Sequence, residues 1–251
     1  MGVLGPIAVG IVLLAAFVIV EGRLAAAPLV PLRIFSRAKL RAANIVVLAL
    51  YSAVFAMWFF LSLYLQQVLG FSALEAGLAF LPMALSVAFA SSRAPRIAAR
   101  IGARWTLTTG MLTSALGLLL LTGIQPGGTY LSVLPGGMIA GAGLGLSLVP
   151  GTIIAVQGVP PAEAGLASGL LNTSRLLGGA LGLAILTTIA TSRAHSQLAS
   201  GAHPLQALTD GYGLALLIGA VICAVGGAAA AVMLRERTEP APHAAAQPAG
   251  E

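Results

Sequence analysis

Side chains able to do acid–base, nucleophilic or metal chemistry are few and scattered in this chain. Seven carboxylates occur in 251 residues: Glu21, Glu75, Glu163, Asp210, Glu236, Glu239 and Glu251. All fall at the ends of apolar runs, in connections or in the last residues. His195, His203 and His243 lack metal-ligand spacing. Cys223 is the only cysteine, so an internal disulfide is excluded, and it lies in an apolar run where a thiol packs as a small hydrophobe. No nucleophile–base pair and no phosphate-cradling loop is present. These residues predict neither an enzyme nor a bound cofactor or metal.

The basic side chains are better organised. Residues 91–104 read Ser-Ser-Arg-Ala-Pro-Arg-Ile-Ala-Ala-Arg-Ile-Gly-Ala-Arg and hold four of the thirteen Lys and Arg residues. The net charge is +6, yet the positive groups are not interleaved with aromatics, which argues against a nucleic-acid partner. They fill the gaps between apolar runs instead. Of the whole chain 58% is hydrophobic and 8% charged, against about 25% charged in a typical soluble domain. With a mean hydropathy of +0.98, the solvent this composition implies is a lipid bilayer. The near absence of lysine and the Ala/Gly excess point to a GC-rich bacterial genome.

Positioning these groups requires membrane helices. A helix of about 20 apolar residues crosses a bilayer. Seven stretches qualify: 2–20, 41–64, 75–92, 105–123, 130–154, 165–190 and 212–234. Glu21-Gly22-Arg23, Gly70-Phe71-Ser72, Gln125-Pro126-Gly127-Gly128 and Pro160-Pro161 punctuate them. The first stretch lacks a basic flank and a cleavage pattern, so it reads as a span and not a signal peptide. Alternating the spans places Arg23, Arg33, Arg37, Lys39, Arg41, Arg93, Arg96, Arg100, Arg104, Arg235 and Arg237 on one side and Arg193 on the other. Positive residues mark the cytoplasmic side. The expected topology has the N-terminus outside and the C-terminus inside, in a bacterial cytoplasmic membrane. Residues 93–104 would then form a tight cytoplasmic turn, and the Ala/Pro-rich 237–251 a disordered cytoplasmic tail.

One short echo recurs. Glu-Ala-Gly-Leu-Ala occupies 75–79 and 163–167, and each copy opens a span. The two copies face opposite sides of the membrane in the expected topology, as inverted three-helix repeats require. Glu75 and Glu163 read first as helix-start acids, since Ser72-x-x-Glu75 is a capping box and a carboxylate favours a helix N-terminus.

The stretches Pro31–Phe35, Leu63–Pro82 and Val159–Gly182, taken with the span order, resemble the C-terminal half of the major facilitator superfamily. The resemblance is to the fourteen-span drug:proton antiporters of the EmrB/QacA branch. It implies an all-α integral membrane protein. Residues 1–24 would be a linker-type transmembrane helix, 25–40 a cytoplasmic basic loop, and 41–236 a six-helix bundle of two inverted three-helix repeats. Ala99-Arg-Ile-Gly-Ala-Arg104 resembles the second copy of the family's cytoplasmic Gly/Asp/Arg motif, with Ala99 where that motif has an acid. That places Arg100, Gly102 and Arg104 at a conformational gate, beside their simpler role in fixing topology. Asn172 and Arg175, the Asn-x-x-Arg of family members, would latch the bundle to an N-terminal half; snorkelling to the inner headgroups is the alternative for Arg175.

The resemblance also implies that 41–64 and 130–154 line a cavity. Asn44, Tyr51, Phe55, Trp58, Ser62 and Gln66 follow one another at helical steps. Such a stripe suits small lipophilic, often cationic molecules. Helix packing and an interfacial belt account for it as well, for Trp58 most readily. Gly137, Gly141 and Gly145 read as a packing face, and Pro82 and Pro150 as bends. The function expected is small-molecule efflux in exchange for protons, with an N-terminal half as partner. The alternative is a non-transporting remnant or a regulator that docks on full transporters.

Overall fold

The computed structural model describes residues 4–20, 34, 36–157 and 159–234. The expectations for Arg23, Arg33, Arg235, Arg237 and the tail 237–251 lie outside them. Most of the described residues are helical, with no strand among them. In chain order the helices are α1 (Leu4–Ile19), α2 (Ala38–Leu63), α3 (Ala73–Ala79), α4 (Leu81–Ile101), α5 (Ala103–Leu120), α6 (Tyr130–Val156), α7 (Ala164–Ala199) and α8 (Pro204–Met233). A π-helical turn, Tyr64–Val68, prolongs α2, and short 3-10 turns end α5 and precede α7.

Six helical units are long and apolar enough to cross a membrane: Ala38–Val68, Ala73–Ile101, Ala103–Gly123, Tyr130–Val156, Pro161–Ala199 and Pro204–Met233. The described part of α1 has 16 residues, about 24 Å of helix, which falls short of the ~30 Å hydrocarbon layer. Val9, Val12, Leu13 and Ile19 on it are exposed.

Two boundaries differ from the sequence reading. Residues 93–104 are not a tight turn. α4 runs through Arg93, Pro95, Arg96 and Arg100 to Ile101, and Gly102 alone turns the chain at φ +86°. Pro95 does not stop it, because only the last turns are affected. The other long helices also outrun the apolar stretches, so α7 carries Arg193 and α8 carries Asp210 within their last and first turns. A polar terminal turn is stable once it clears the hydrocarbon, and apolar periodicity does not mark its end. Within the Ala73–Ile101 unit the helix is interrupted at Phe80, and Pro82 lies in the first turn of α4 just beyond it. Pro150 lies inside α6.

Packing follows an exchanged order. α2, α3–α4 and α5 form one triplet, and α6, α7 and α8 the other. α4 packs on α6, the first helix of the other triplet, and α7 packs on α2 in the same way. α5 and α8 contact each other at the back. This is the pairing a two-fold inverted repeat produces. The core lies between these helices, around Phe60, Tyr64, Met83, Leu107, Met111 and Leu118.

The glycine stripe on α6 is the α4–α6 contact. A Cβ on Gly141 would sit 2.7 Å from Ser86 Oγ, and one on Gly145 would overlap the Val87 carbonyl. Bare backbone here lets the two helices touch.

Candidate functional site

The stripe on α2 divides into three groups. Near the N-terminal end of α2 Asn44 meets α7. Its Nδ2 donates to the Leu40 carbonyl at 2.8 Å, and its Oδ1 accepts from Ser174 Oγ at 2.7 Å. Two turns along, the half-buried Tyr51 lies 5.9 Å from the Phe55 ring, and the Arg175 guanidinium sits 5.7 Å from the Tyr51 centroid. Phe55 is exposed and covers Gly179, where a Cβ would approach the ring to 2.8 Å. Trp58 packs against Phe80, with ring centroids 5.1 Å apart and the rings tilted, at the break between α3 and α4. Ser62 and Gln66 satisfy each other at the far end, with Gln66 Nε2 2.8 Å from Ser62 Oγ. Asn44, Tyr51 and Phe55 therefore belong to the α2–α7 seam, whereas Trp58, Ser62 and Gln66 belong to the opposite end of α2.

Arg175 is the charged centre of that seam. Its Nη2 donates to Thr152 Oγ1 on α6 at 3.0 Å, and Thr152 donates in turn to the Leu148 carbonyl at 3.2 Å. Its Nε is buried without a partner. The side chain thus ties α7 to α6 and lies against α2. Part of what a latch to another half would supply is met inside this chain. Asn172, three residues earlier, is exposed and does not join the cluster. Thr152 and Ser174 were missed from sequence: a hydroxyl residue in a membrane helix usually bonds its own preceding carbonyl, as Thr152 does, so no local pattern betrays a second bond.

Ser52 crosses the same seam. Its hydroxyl lies 2.8 Å from the Leu48 carbonyl and 2.9 Å from that of Gly178. Gly178 and Gly182 leave no room for a Cβ beside Leu48 and Ser52.

The end of the bundle where α2 and α7 start is held by charge. Arg37 pairs with Glu163 at 3.2 Å, joining the start of α2 to the start of α7. Arg104 donates to the Ala231 carbonyl near the end of α8 and lies 4.7 Å over the Trp105 ring. Its anchor is thus a helix C-terminus, where a cation is favoured. Arg100 is exposed on the last turn of α4. Arg93 folds over Phe89 at 3.4 Å. Glu75 is exposed and completes the capping box with Ser72.

Among the described residues no group of three or more His, Cys, Asp or Glu side chains could hold a metal. The three described carboxylates, Glu75, Glu163 and Asp210, all lie near helix ends. The seam presents aromatic faces, hydroxyls and one guanidinium. It contains no acid to carry a proton.

Residues 1–183 match the family model of the Major Facilitator Superfamily. The chain is 39% identical over 200 residues to the cephamycin export protein CmcT of Amycolatopsis lactamdurans, which covers 78% of this chain and 41% of that protein. It is 33% identical over 241 residues to the puromycin resistance protein pur8 of Streptomyces alboniger, covering 92% and 48% respectively. It is also 33% identical over 175 residues to the multidrug resistance protein Stp of Mycobacterium tuberculosis, covering 70% of this chain and 32% of that protein. The chain spans less than half the length of each of these relatives. Its exchanged helix pairing and the match over residues 1–183 agree: this multi-pass membrane chain belongs to the Major Facilitator Superfamily.

Proposed function

We infer that this chain forms the C-terminal half of a drug exporter that moves a small lipophilic molecule outward in exchange for protons. The observation that carries this reading is the α2–α7 seam, where Tyr51, Phe55 and Arg175 gather on one side of the bundle. The flanking units, α3–α4 and α7, are the least buried of the six spans and offer Leu78, Leu85, Phe89, Leu177 and Leu181 outward. A second bundle laid on that side would enclose the seam and cover those side chains. The relatives named for cephamycin export and puromycin resistance support antibiotics as the substrate class.

Two refinements follow from the geometry. Arg175 lies against the Tyr51 ring, so attraction of a cationic substrate falls to Phe55 and Trp58. With every described carboxylate near a helix end, the proton-carrying acid belongs to the N-terminal partner, as a separate chain or as further sequence. Arg37–Glu163 and Arg104 lie at the cytoplasmic end in this reading. There Arg100, Gly102 and Arg104 act at the gate between α4 and α5, and the exposed Asn172 faces the partner.

The test is export. The chain is expressed alone and together with a matching N-terminal bundle, in cells without other pumps, and ethidium efflux is followed. Efflux that requires both and collapses with a protonophore is the expected result. Strong proton-driven efflux from the chain alone overturns the half-transporter reading. Impermeant maleimide labelling of single cysteines at 93–104 tests the orientation; labelling from outside intact cells overturns it.

A further inference from the structure

At the end of the bundle opposite Glu163, the last turns of α5 and α7 and the first turns of α8 surround a cleft of about 580 Å³. Thr122, Ile124, Arg193, Asp210, Gly213 and Leu217 line it. Both charged residues lie six positions from a helix end, about 9 Å along the axis, which is headgroup depth for helices of this length.

The two charges are held apart. Gln197 donates to Asp210 Oδ2 at 3.2 Å and Gln206 to Oδ1 at 2.8 Å. Two neutral amides fix the carboxylate's orientation and bring it no countercharge. Arg193 lines the same cleft, yet forms no ion pair with Asp210 within 4.0 Å. Thr122 spends its hydroxyl proton on the Leu119 carbonyl at 2.7 Å, so its oxygen is left as an acceptor. The Thr122 carbonyl, at the negative end of α5, would lie 2.8 Å from a Cβ on Gly213. The cleft thus offers acceptors around a fixed anion on one side and a lone guanidinium on the other. Below it Leu217, Val221 and Val225 form an exposed apolar ridge at four-residue steps along α8.

We propose that this cleft binds the headgroup of a zwitterionic aminophospholipid. The primary ammonium sits on Asp210 and the Thr122 oxygens, the phosphate on Arg193, and an acyl chain runs along Leu217, Val221 and Val225. The ammonium donates three hydrogen bonds to acceptors whose protons are already committed, and a guanidinium matches a phosphate in charge and shape. A trimethylated headgroup carries the same charge but cannot donate, and a glycerol headgroup brings no cation to Asp210.

The test is native mass spectrometry of the purified full chain with phosphatidylethanolamine, phosphatidylcholine and phosphatidylglycerol of matched acyl chains. Phosphatidylethanolamine is expected to bind about tenfold tighter than either, as loss of charge-assisted hydrogen bonds implies. Asp210→Asn should abolish the preference over phosphatidylcholine, and Asp210→Glu should restore part of it. Arg193→Gln should weaken both zwitterionic lipids alike. Equal affinity for all three headgroups, or a preference that survives Asp210→Asn, overturns the proposal. Glycerophosphoethanolamine binding as tightly as the whole lipid would assign the cleft to a free solute and overturn the lipid reading. None of these outcomes depends on whether the chain exports a drug.

Discussion

The α4–α6 and α7–α2 seams hold equivalent places in the two repeats and share one packing recipe. In each, glycines of one helix meet the backbone of the other, and a serine crosses. Ser86 Oγ lies 2.9 Å from the Met138 carbonyl, and Ser52 Oγ 2.9 Å from that of Gly178. They differ in what lies beyond the serine. The α7–α2 seam continues into Asn44–Ser174 and the Arg175–Thr152–Tyr51 cluster. On α4, by contrast, Arg93, Arg96 and Arg100 project outward at the helix end. The contact itself is thus common scaffold, and the polar groups added to one copy are what distinguish a candidate binding wall.

The largest expected effect breaks the scaffold. At Gly182 a Cβ would collide with Ser52 backbone and side chain together, whereas at Gly137 it would meet only the flexible end of Met83. Gly182→Ala should cost about 1–3 kcal/mol, and Gly137→Ala less, because a thioether end can swing aside. Thermal unfolding of the purified variants in detergent measures both. Equal losses would mean that the glycines on α6 and α7 are not matched to backbone contact as described.

The next effect separates the two seams. Thr152→Val leaves the Arg175 charge in place without its hydroxyl acceptor, an expected loss of about 2 kcal/mol. Arg175→Met removes the charge and its desolvation together, so stability should change by no more than about 1 kcal/mol. In the export assay that tests the proposed function the ranking should reverse, with Arg175→Met the more damaging. If Arg175→Met proves the less stable variant, the guanidinium is a structural brace of this seam.

The serine bonds should then cost the same in both seams. Ser52→Ala and Ser86→Ala are each expected to lose about 0.6 kcal/mol, the typical worth of an interhelical hydrogen bond in a membrane. Each hydroxyl also has an acceptor in its own helix, the Leu48 and Met83 carbonyls. That second partner keeps the loss small, and unequal values would mean that the two hydroxyls are not held alike.

The bundle was legible because lipid demands long apolar helices, and the breaks at Gly70, Pro126 and Pro160 are chemical. Helix ends were not, since α4, α7 and α8 extend as polar turns beyond the hydrocarbon, where hydropathy carries no signal. The α6 glycine stripe is legible as packing because intervals of four leave one face bare. The α2 stripe was read as a single face, yet Trp58 turns to Phe80 and Asn44 to Ser174. Helical spacing fixes which residues share a side but not which neighbour each meets. Arg175 stood out by its cost in lipid. Its acceptor, Thr152, lies 23 residues away on another helix, a pairing that only the fold creates.

The smallest effect concerns the two copies of Glu-Ala-Gly-Leu-Ala. Glu75 accepts from the Ser72 backbone N–H at 2.8 Å and stays within its own helix start. A glutamine there keeps a carbonyl acceptor, so Glu75→Gln should be close to silent. Glu163 instead reaches Arg37, whose side chain is 34% exposed against 14% for the carboxylate. Water and salt reach that pair from the arginine side, so Glu163→Gln should cost about 0.5 kcal/mol and become milder at high salt. A double-mutant cycle with Arg37→Gln isolates the coupling. A salt-independent coupling would mean that Glu163 is sealed from solvent, and the start of α7 would then be closed by a buried ion pair that the start of α3 does not have.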